Sequence, residues 1–234
     1  MLEAKNLYVN YENLSIIQDV SLNVKKGEIV ALIGANGTGK TTLVRAFSGL
    51  NAIAQGSLLF NGKDITHATT DQIVDTGIIQ VPEGRKLFSF MSVRENIEMG
   101  AFSRRAKAGF KDNLEYVYTV FPELKTMEKQ ACGNLSGGQQ QMVAIARGIM
   151  ANPELLILDE PSIGLSPIAT QGMFEAIKLI HEKGISVLIT EQNVQDVLRM
   201  ADYAYVMQQG KVAMSGTSSE IAQNEDLKKI YLGM

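Results

Sequence analysis

An α/β fold with a largely parallel sheet is what this sequence predicts, and three observations predict it. Short runs rich in Val, Ile and Leu alternate with helical stretches. One such run, 28–33, leads straight into a glycine-rich loop and then into a helix at 41–48. From 84 to 150 the strand signal disappears and helix signals replace it.

The elements follow in order. Residues 2–9 and 16–24 read as strands, joined through a polar turn at Glu12-Asn13. Residues 28–33, 78–81, 155–158, 186–190 and 203–208 are short apolar runs, the pattern of strands covered on both faces. Gln209-Gly210 is a tight turn into 211–215. Inside the helical stretch, Ser92-Val93-Arg94-Glu95 is a capping box that opens one helix, and 112–120 suits another. Ser136 with two glycines opens a third, 140–150, and Ser166-Pro167 starts a helix over 168–183. Thr217-Ser218-Ser219-Glu220 is a second capping box, near the carboxyl end.

The bulk numbers fit one large domain or two small ones. The chain has 234 residues, 45% hydrophobic and 20% charged, with a net charge of −3. That charge speaks against general nucleic-acid binding, which wants a basic face. No apolar run approaches the ~20 residues of a membrane helix, and the amino terminus does not read as a secretory signal. Cys132 is the single cysteine, which leaves no internal disulfide or cysteine zinc site, and cytosol is the expected compartment. Solenoid repeats and low-complexity segments are absent.

Two segments offer themselves to anions. Gly34-Ala35-Asn36-Gly37-Thr38-Gly39-Lys40-Thr41 is a phosphate-binding loop in its proper strand–loop–helix context. Its glycines let backbone N–H groups approach phosphate oxygens, Lys40 reaches the terminal phosphates, and the Thr41 hydroxyl suits Mg²⁺. Leu135-Ser136-Gly137-Gly138-Gln139 offers a hydroxyl, backbone amides and a helix start. One nucleotide needs one cradle, so the second implies two copies of the chain that share their nucleotides, each loop facing the other's serine–glycine segment. The run 155–158 ends in Asp159-Glu160, a strand-end acid suited to Mg²⁺ followed by a candidate base for water.

The loop, the serine–glycine segment and the acidic strand end come in the order and approximate spacing of an ABC-type ATPase, which the whole chain resembles. The resemblance implies a P-loop NTPase core with a mostly parallel sheet, an antiparallel β subdomain and an inserted helical subdomain. Core residues would be 1–83 and 151–234 of a single nucleotide-binding domain, with 84–150 as the helical subdomain. It also implies ATP and Mg²⁺, held by Gly34 to Thr41 with Thr42, and by Thr41, Asp159 and Glu83 respectively. Tyr11 falls where the family stacks a ring on adenine, with Tyr8 a nearby alternative. Glu160, Gln192 and Glu83 take the catalytic positions, and Leu135 to Gln139 would meet the γ-phosphate bound to the other subunit.

Three departures from the common family pattern narrow the reading. Glu83 follows Pro82 where a glutamine is usual, Gln80 lying too early and inside the strand. Gln192 stands at the usual switch histidine; it can donate to a phosphate but cannot titrate near neutrality. The two histidines, His67 and His181, lie elsewhere in polar surroundings and read as solvated side chains. Ser166 replaces an aspartate before proline and keeps the helix cap. Pro82-Glu83-Gly84-Arg85, Leu87-Phe88, Glu191-Gln192-Asn193, the run from Asp159 to Pro167 and the ending Tyr231-Leu232-Gly233 resemble branched-chain amino acid (LivF-type) ATPase subunits. That family implies a second, sister ATPase subunit, a homodimer being the alternative. It also implies two membrane permease subunits, and indirectly a periplasmic or extracellular substrate-binding protein. The face at 83–91, with Phe88 and Phe90, would hold a cytoplasmic helix of the permease, and the chain would sit at the cytoplasmic face of the inner membrane. The alternatives are importers of urea or another amide or amino acid, and soluble ABC ATPases of DNA repair or translation; urea relatives tend to keep the glutamine after the proline, and lipopolysaccharide-export ATPases both the glutamine and the histidine. DNA-repair relatives need a coiled coil that has no heptad run here, and translation relatives a second cassette.

Overall fold

The computed structural model describes residues 1–11 and 14–224 and forms two compact units. One is built from Met1–Thr76 and the chain from Ser186 onward, the other from Gly77–Ile185. The Glu12-Asn13 turn and the Tyr231-Leu232-Gly233 ending lie outside the described residues.

The first unit opens with β1 (Leu2–Tyr11) and β2 (Leu14–Val24), which pair antiparallel. Then come β3 (Ile29–Ile33), α1 (Lys40–Phe47), β4 (Gln55–Phe60), β5 (Lys63–Asp64) and α2 (Thr70–Thr76). Strands β2, β1, β4 and β5 lie side by side in that order as an antiparallel sheet. All five residues of β3 are buried, as a strand covered on both faces requires.

The second unit contributes β6 (Ile78–Val81) and a run of helices. These are α3 (Val93–Glu98), α4 (Arg104–Ala108), α5 (Phe110–Val120), α6 (Pro122–Thr126) and α7 (Gly137–Met150). Strand β7 (Leu155–Asp159) pairs parallel with β6, and α8 (Pro167–Glu182) follows. Helix α7 lies directly on this strand pair because Gly148 has no side chain: a Cβ there would come within 2.8 Å of Val81 Cγ2.

The first unit resumes with β8 (Ser186–Glu191), α9 (Val194–Leu198), β9 (Tyr203–Gln208), β10 (Lys211–Thr217) and α10 (Ser218–Gln223). Strand β3 pairs parallel with both β8 and β9, and β10 closes antiparallel on β9. Tyr205 ties this sheet to the antiparallel one: its hydroxyl accepts from Asn23 N–H at 2.9 Å and donates to the Asn23 carbonyl at 3.2 Å.

The expected capping boxes at Ser92 and Thr217 are both formed. Ser136 also forms one with Gln139, so α7 begins at Gly137 rather than at 140. Elements without a clear sequence signal are β4, β5, α2, α4, α6 and α9. In the helical stretch a single isolated bridge, Ser92 to Ala131, is the only trace of strand pairing outside named strands among the described residues.

Candidate functional site

The phosphate-binding loop leaves the end of β3. Gly37 and Gly39 adopt left-handed backbone, with φ of 78° and 103°. Gly39 stands at the N-cap of α1 and makes no side-chain cap hydrogen bond, so the helix opens on bare backbone, the arrangement that suits an anion. At Gly34 a Cβ would sit 2.7 Å from the Met207 carbonyl oxygen, and at Gly39 the same distance from Ile17 Cδ1. Positions 34 and 39 of the loop therefore have room only for glycine. The Lys40 side chain is buried and folds over the loop, its Nζ donating to the Gly34 carbonyl at 2.7 Å and the Ala35 carbonyl at 3.2 Å. Thr38 Oγ1 donates to the Ala35 carbonyl at 2.9 Å, closing the loop on itself.

Gln192 belongs to the same neighbourhood. Ile33 pairs with Glu191 in the parallel ladder, so Gly34 and Gln192 leave the same end of adjacent strands. Gln192 is exposed, and Asn193 behind it caps α9. Tyr11 ends β1 with its ring 71% exposed, whereas Tyr8 is half-buried. Exposure favours Tyr11 as the ring available for stacking. His67 is exposed, and His181 is half-buried with Nδ1 3.3 Å from the Ile185 carbonyl.

The second unit gathers the carboxylates. Val81 pairs with Leu158, so Glu83 and Glu160, each two residues further on, emerge from the same end of β6 and β7. Asp159 and Glu160 are buried at 2% and 7% exposure, and Glu83 is exposed. Glu160 has a left-handed backbone, φ 47°, an uncommon conformation for a side chain of its size. The turn begins as the Ile163 N–H donates to the Glu160 carbonyl at 3.3 Å, and Ser166 caps α8 through the Ala169 N–H at 3.3 Å. Gln80 stays inside β6, its amide nitrogen and oxygen both buried without a hydrogen-bond partner.

The serine–glycine segment starts α7. Ser136 Oγ accepts from the Gln139 N–H at 3.3 Å, and Gln139 Oε1 accepts from the Ser136 N–H at 2.9 Å. That reciprocal box leaves the amides of Gly137 and Gly138 in the first turn for an outside acceptor, beside an exposed serine. Leu135 is buried beneath as the anchor.

Two residues that shape this region, Asn96 and Arg147, had no sequence signal, and a third, Arg85, was marked only as part of the Pro82-Glu83-Gly84-Arg85 resemblance. Asn96, fully buried, holds the loop 88–92 by accepting from the Phe88 N–H and donating to the carbonyls of Phe88, Met91 and Ser92. Arg147 donates to the Arg85 and Lys86 carbonyls, both at 2.9 Å, and burial pulls its pKa below the usual arginine value. Arg85 reaches Gln140. The loop they hold presents Phe88 at 48% exposure and Phe90 fully exposed. No helix among the described residues is long and apolar enough to cross a membrane.

A phosphate loop at a parallel strand end and a strand closing in acids define a nucleotide triphosphatase. The additional serine-capped helix start narrows the class. The chain belongs to the ABC transporter family, whose model matches residues 17–163, and it is an ATP-hydrolysing cassette of that family. The high-affinity branched-chain amino acid transport ATP-binding protein BraG of Pseudomonas aeruginosa is 41% identical over 233 residues, covering 100% of both chains. The probable branched-chain amino acid transport ATP-binding protein LivF of Archaeoglobus fulgidus is 35% identical, covering 100% of this chain and 99% of its own. The lipopolysaccharide export system ATP-binding protein LptB of Escherichia coli K12 is 33% identical, covering 99% and 97%. Among solved structures, a nucleotide-free ATP-binding cassette superposes with a TM-score of 0.87 at 26% identity, covering 100% and 99% of the two chains. The ADP conformation of another cassette gives 0.86 at 27% identity, with the same coverage.

Proposed function

We propose that this cassette powers an importer of branched-chain amino acids from the cytoplasmic face of the inner membrane. It works there with a sister ATPase subunit, two membrane permease subunits and, indirectly, a substrate-binding protein. The observation that carries the mechanism is the presence of two glycine-rich helix starts in one chain, α1 after Gly39 and α7 after Ser136, each of a kind that suits a phosphate. The cargo rests on the full-length likeness to BraG and LivF.

In this reading Gly34, Ala35, Asn36, Gly37, Thr38, Gly39, Lys40, Thr41 and Thr42 hold the ATP phosphates and Tyr11 stacks on adenine. Leu135, Ser136, Gly137, Gly138 and Gln139 complete the site of the partner ATPase. Glu160 takes a proton from the water whose oxygen attacks the γ-phosphorus as the bond to ADP breaks. Gln192 donates to the γ-phosphate, and Glu83 assists through oxygen.

Among the described residues no three His, Cys, Asp or Glu side chains converge into a metal cage. Asp159 at the end of β7 and Glu83 beyond the matching end of β6 are oxygen donors, the kind that suits Mg²⁺, which keeps waters and takes one or two carboxylates plus substrate phosphates. Thr41, Asp159 and Glu83 would hold it, and when bound it neutralises phosphate charge. The core at 1–83 and 151–234 carries the nucleotide, while the 84–150 subdomain carries Ser136 and the permease-facing Phe88 and Phe90.

The test is uptake. Tagged chain is purified with whatever membrane protein accompanies it, and that complex is reconstituted in vesicles. ATP-dependent uptake of leucine, isoleucine or valine that a Glu160→Gln chain abolishes is the expected result. A complex that hydrolyses ATP but accumulates none of the three overturns the cargo. A Glu160→Gln chain whose association with its partner ATPase is no tighter with ATP overturns the shared site.

A further inference from the structure

The loop after β6 holds three consecutive left-handed residues: Gly84, Arg85 and Lys86 have φ of 75°, 63° and 47°. For the two that carry side chains this backbone is costly, so something must hold it. Arg147, near the end of α7, does so by donating to both of their carbonyls at 2.9 Å. The turn in turn sends the Arg85 side chain back to the beginning of the same helix. Arg85 Nη1 donates to Gln140 Oε1 at 3.2 Å, and Gln140 Nε2 donates to the Cys132 carbonyl at 3.2 Å, just ahead of the serine–glycine segment.

The guanidinium also lies close beside two glycines. A Cβ on Gly137 would be 3.2 Å from Arg85 Nη2 and 3.3 Å from Nη1. One on Gly164, in the turn that follows Glu160, would be 3.8 Å from Nη2. One side chain thus faces both the serine–glycine helix start and the turn after the acidic strand, and its backbone belongs to the loop that carries Glu83, Phe88 and Phe90.

We infer that Arg85 is a positioning residue for Ser136–Gly138, and that Arg85 and Arg147 make the loop at 83–91 and helix α7 one mechanical piece. Movement imposed at Phe88 and Phe90 then displaces the serine–glycine segment directly. The planar, forked guanidinium suits this role, because it packs on glycine while donating at its edge; a lysine ammonium cannot do both. The inference rests on the proposed shared site, in which Ser136 meets the partner's ATP.

ADP has no γ-phosphate, so its binding involves the phosphate loop and Tyr11 without the serine–glycine segment, whereas ATP turnover requires that segment as well. In the complex purified with its membrane subunits, Arg85→Ala is expected to lower kcat about tenfold and raise KM for ATP about threefold or more. Inhibition by ADP should stay within about twofold of the parent, and Arg85→Lys should fail to rescue. Gln140→Ala, which removes only the bridge, should shift both ATP constants the same way by less. Ser136→Ala is the control. If it leaves turnover unchanged, the shared site fails and the inference with it. If Ser136→Ala is inactive while Arg85→Ala and Gln140→Ala keep both ATP constants, the positioning role alone is overturned. A weakening of ADP inhibition equal to the loss in ATP constants also overturns it, since that would be general damage.

Discussion

Asn96 offers the sharpest test of how the loop at 88–92 is held. It is fully buried, and its side-chain oxygen accepts from the Phe88 N–H at 2.9 Å. Its side-chain nitrogen faces three carbonyls, those of Phe88 at 3.0 Å, Met91 at 3.3 Å and Ser92 at 3.0 Å. Asn96→Ala strands the Phe88 N–H, a loss of about 1–3 kcal/mol, and deprives the carbonyls of a shared donor, about 1 kcal/mol more. We expect a net loss of about 3 kcal/mol, or ~6–12 °C in melting temperature for a chain of this size. Asn96→Asp separates the two halves of the bonding. It keeps the acceptor for Phe88 but turns a second oxygen toward three carbonyls, so near neutral pH it should be less stable than the alanine variant. Burial raises that carboxyl's pKa, so the deficit should shrink as pH falls and the protonated acid becomes a donor. Thermal melts of both variants across pH measure this. An aspartate variant at least as stable as alanine at neutral pH would refute the three-carbonyl role of the Asn96 nitrogen.

Other expectations follow from the same geometry. Gly39→Ala adds a left-handed penalty of about 1–2 kcal/mol and a Cβ 2.7 Å from the buried Ile17, whereas at Gly37 a Cβ meets nothing within 4 Å. Titration with a fluorescent ATP analogue should show Gly39→Ala losing about tenfold or more in affinity and Gly37→Ala losing less; the reverse order would be inconsistent with the packing of the loop. Burial, with the Glu182 charge second, pushes the Tyr116 phenol up to about 12. Its folded pKa lies above its unfolded value near 10, so its contribution to stability is complete below about pH 10 and is lost as pH rises toward 12. Denaturant melts in that window should flatten for Tyr116→Phe, and an unchanged alkaline decline would count against this assignment.

How much of this was legible in the sequence depends on the kind of signal each element carries. β3 and its loop announce themselves because a strand buried on both faces is a continuous apolar run and the glycines sit at fixed offsets. The boxes at Ser92 and Thr217 are local and reciprocal, so their spacing alone identifies them. β4 and β5 are harder. Gln55–Phe60 begins with two exposed residues, and β5 has only two residues, so their strand character comes from pairing with neighbours rather than from periodicity. The short α4, α6 and α9, at five residues each, have too few turns for a periodic stripe.

The residues that shape the loop at 83–91 escape sequence reading for a different reason. Asn96 and Arg147 act on backbone carbonyls, and every residue offers a carbonyl, so no partner type at any spacing marks them. Pro82-Glu83-Gly84-Arg85 carries a resemblance, but nothing in two long cationic side chains predicts consecutive left-handed backbone at Arg85 and Lys86. Motifs name the atoms that touch a nucleotide because those atoms must be of particular chemical types. The apparatus that aims them uses the one functional group common to all residues. That is why Leu135 to Gln139 was apparent as a motif while Arg147, and the hold of Arg85 on the helix that motif opens, became visible only as distances.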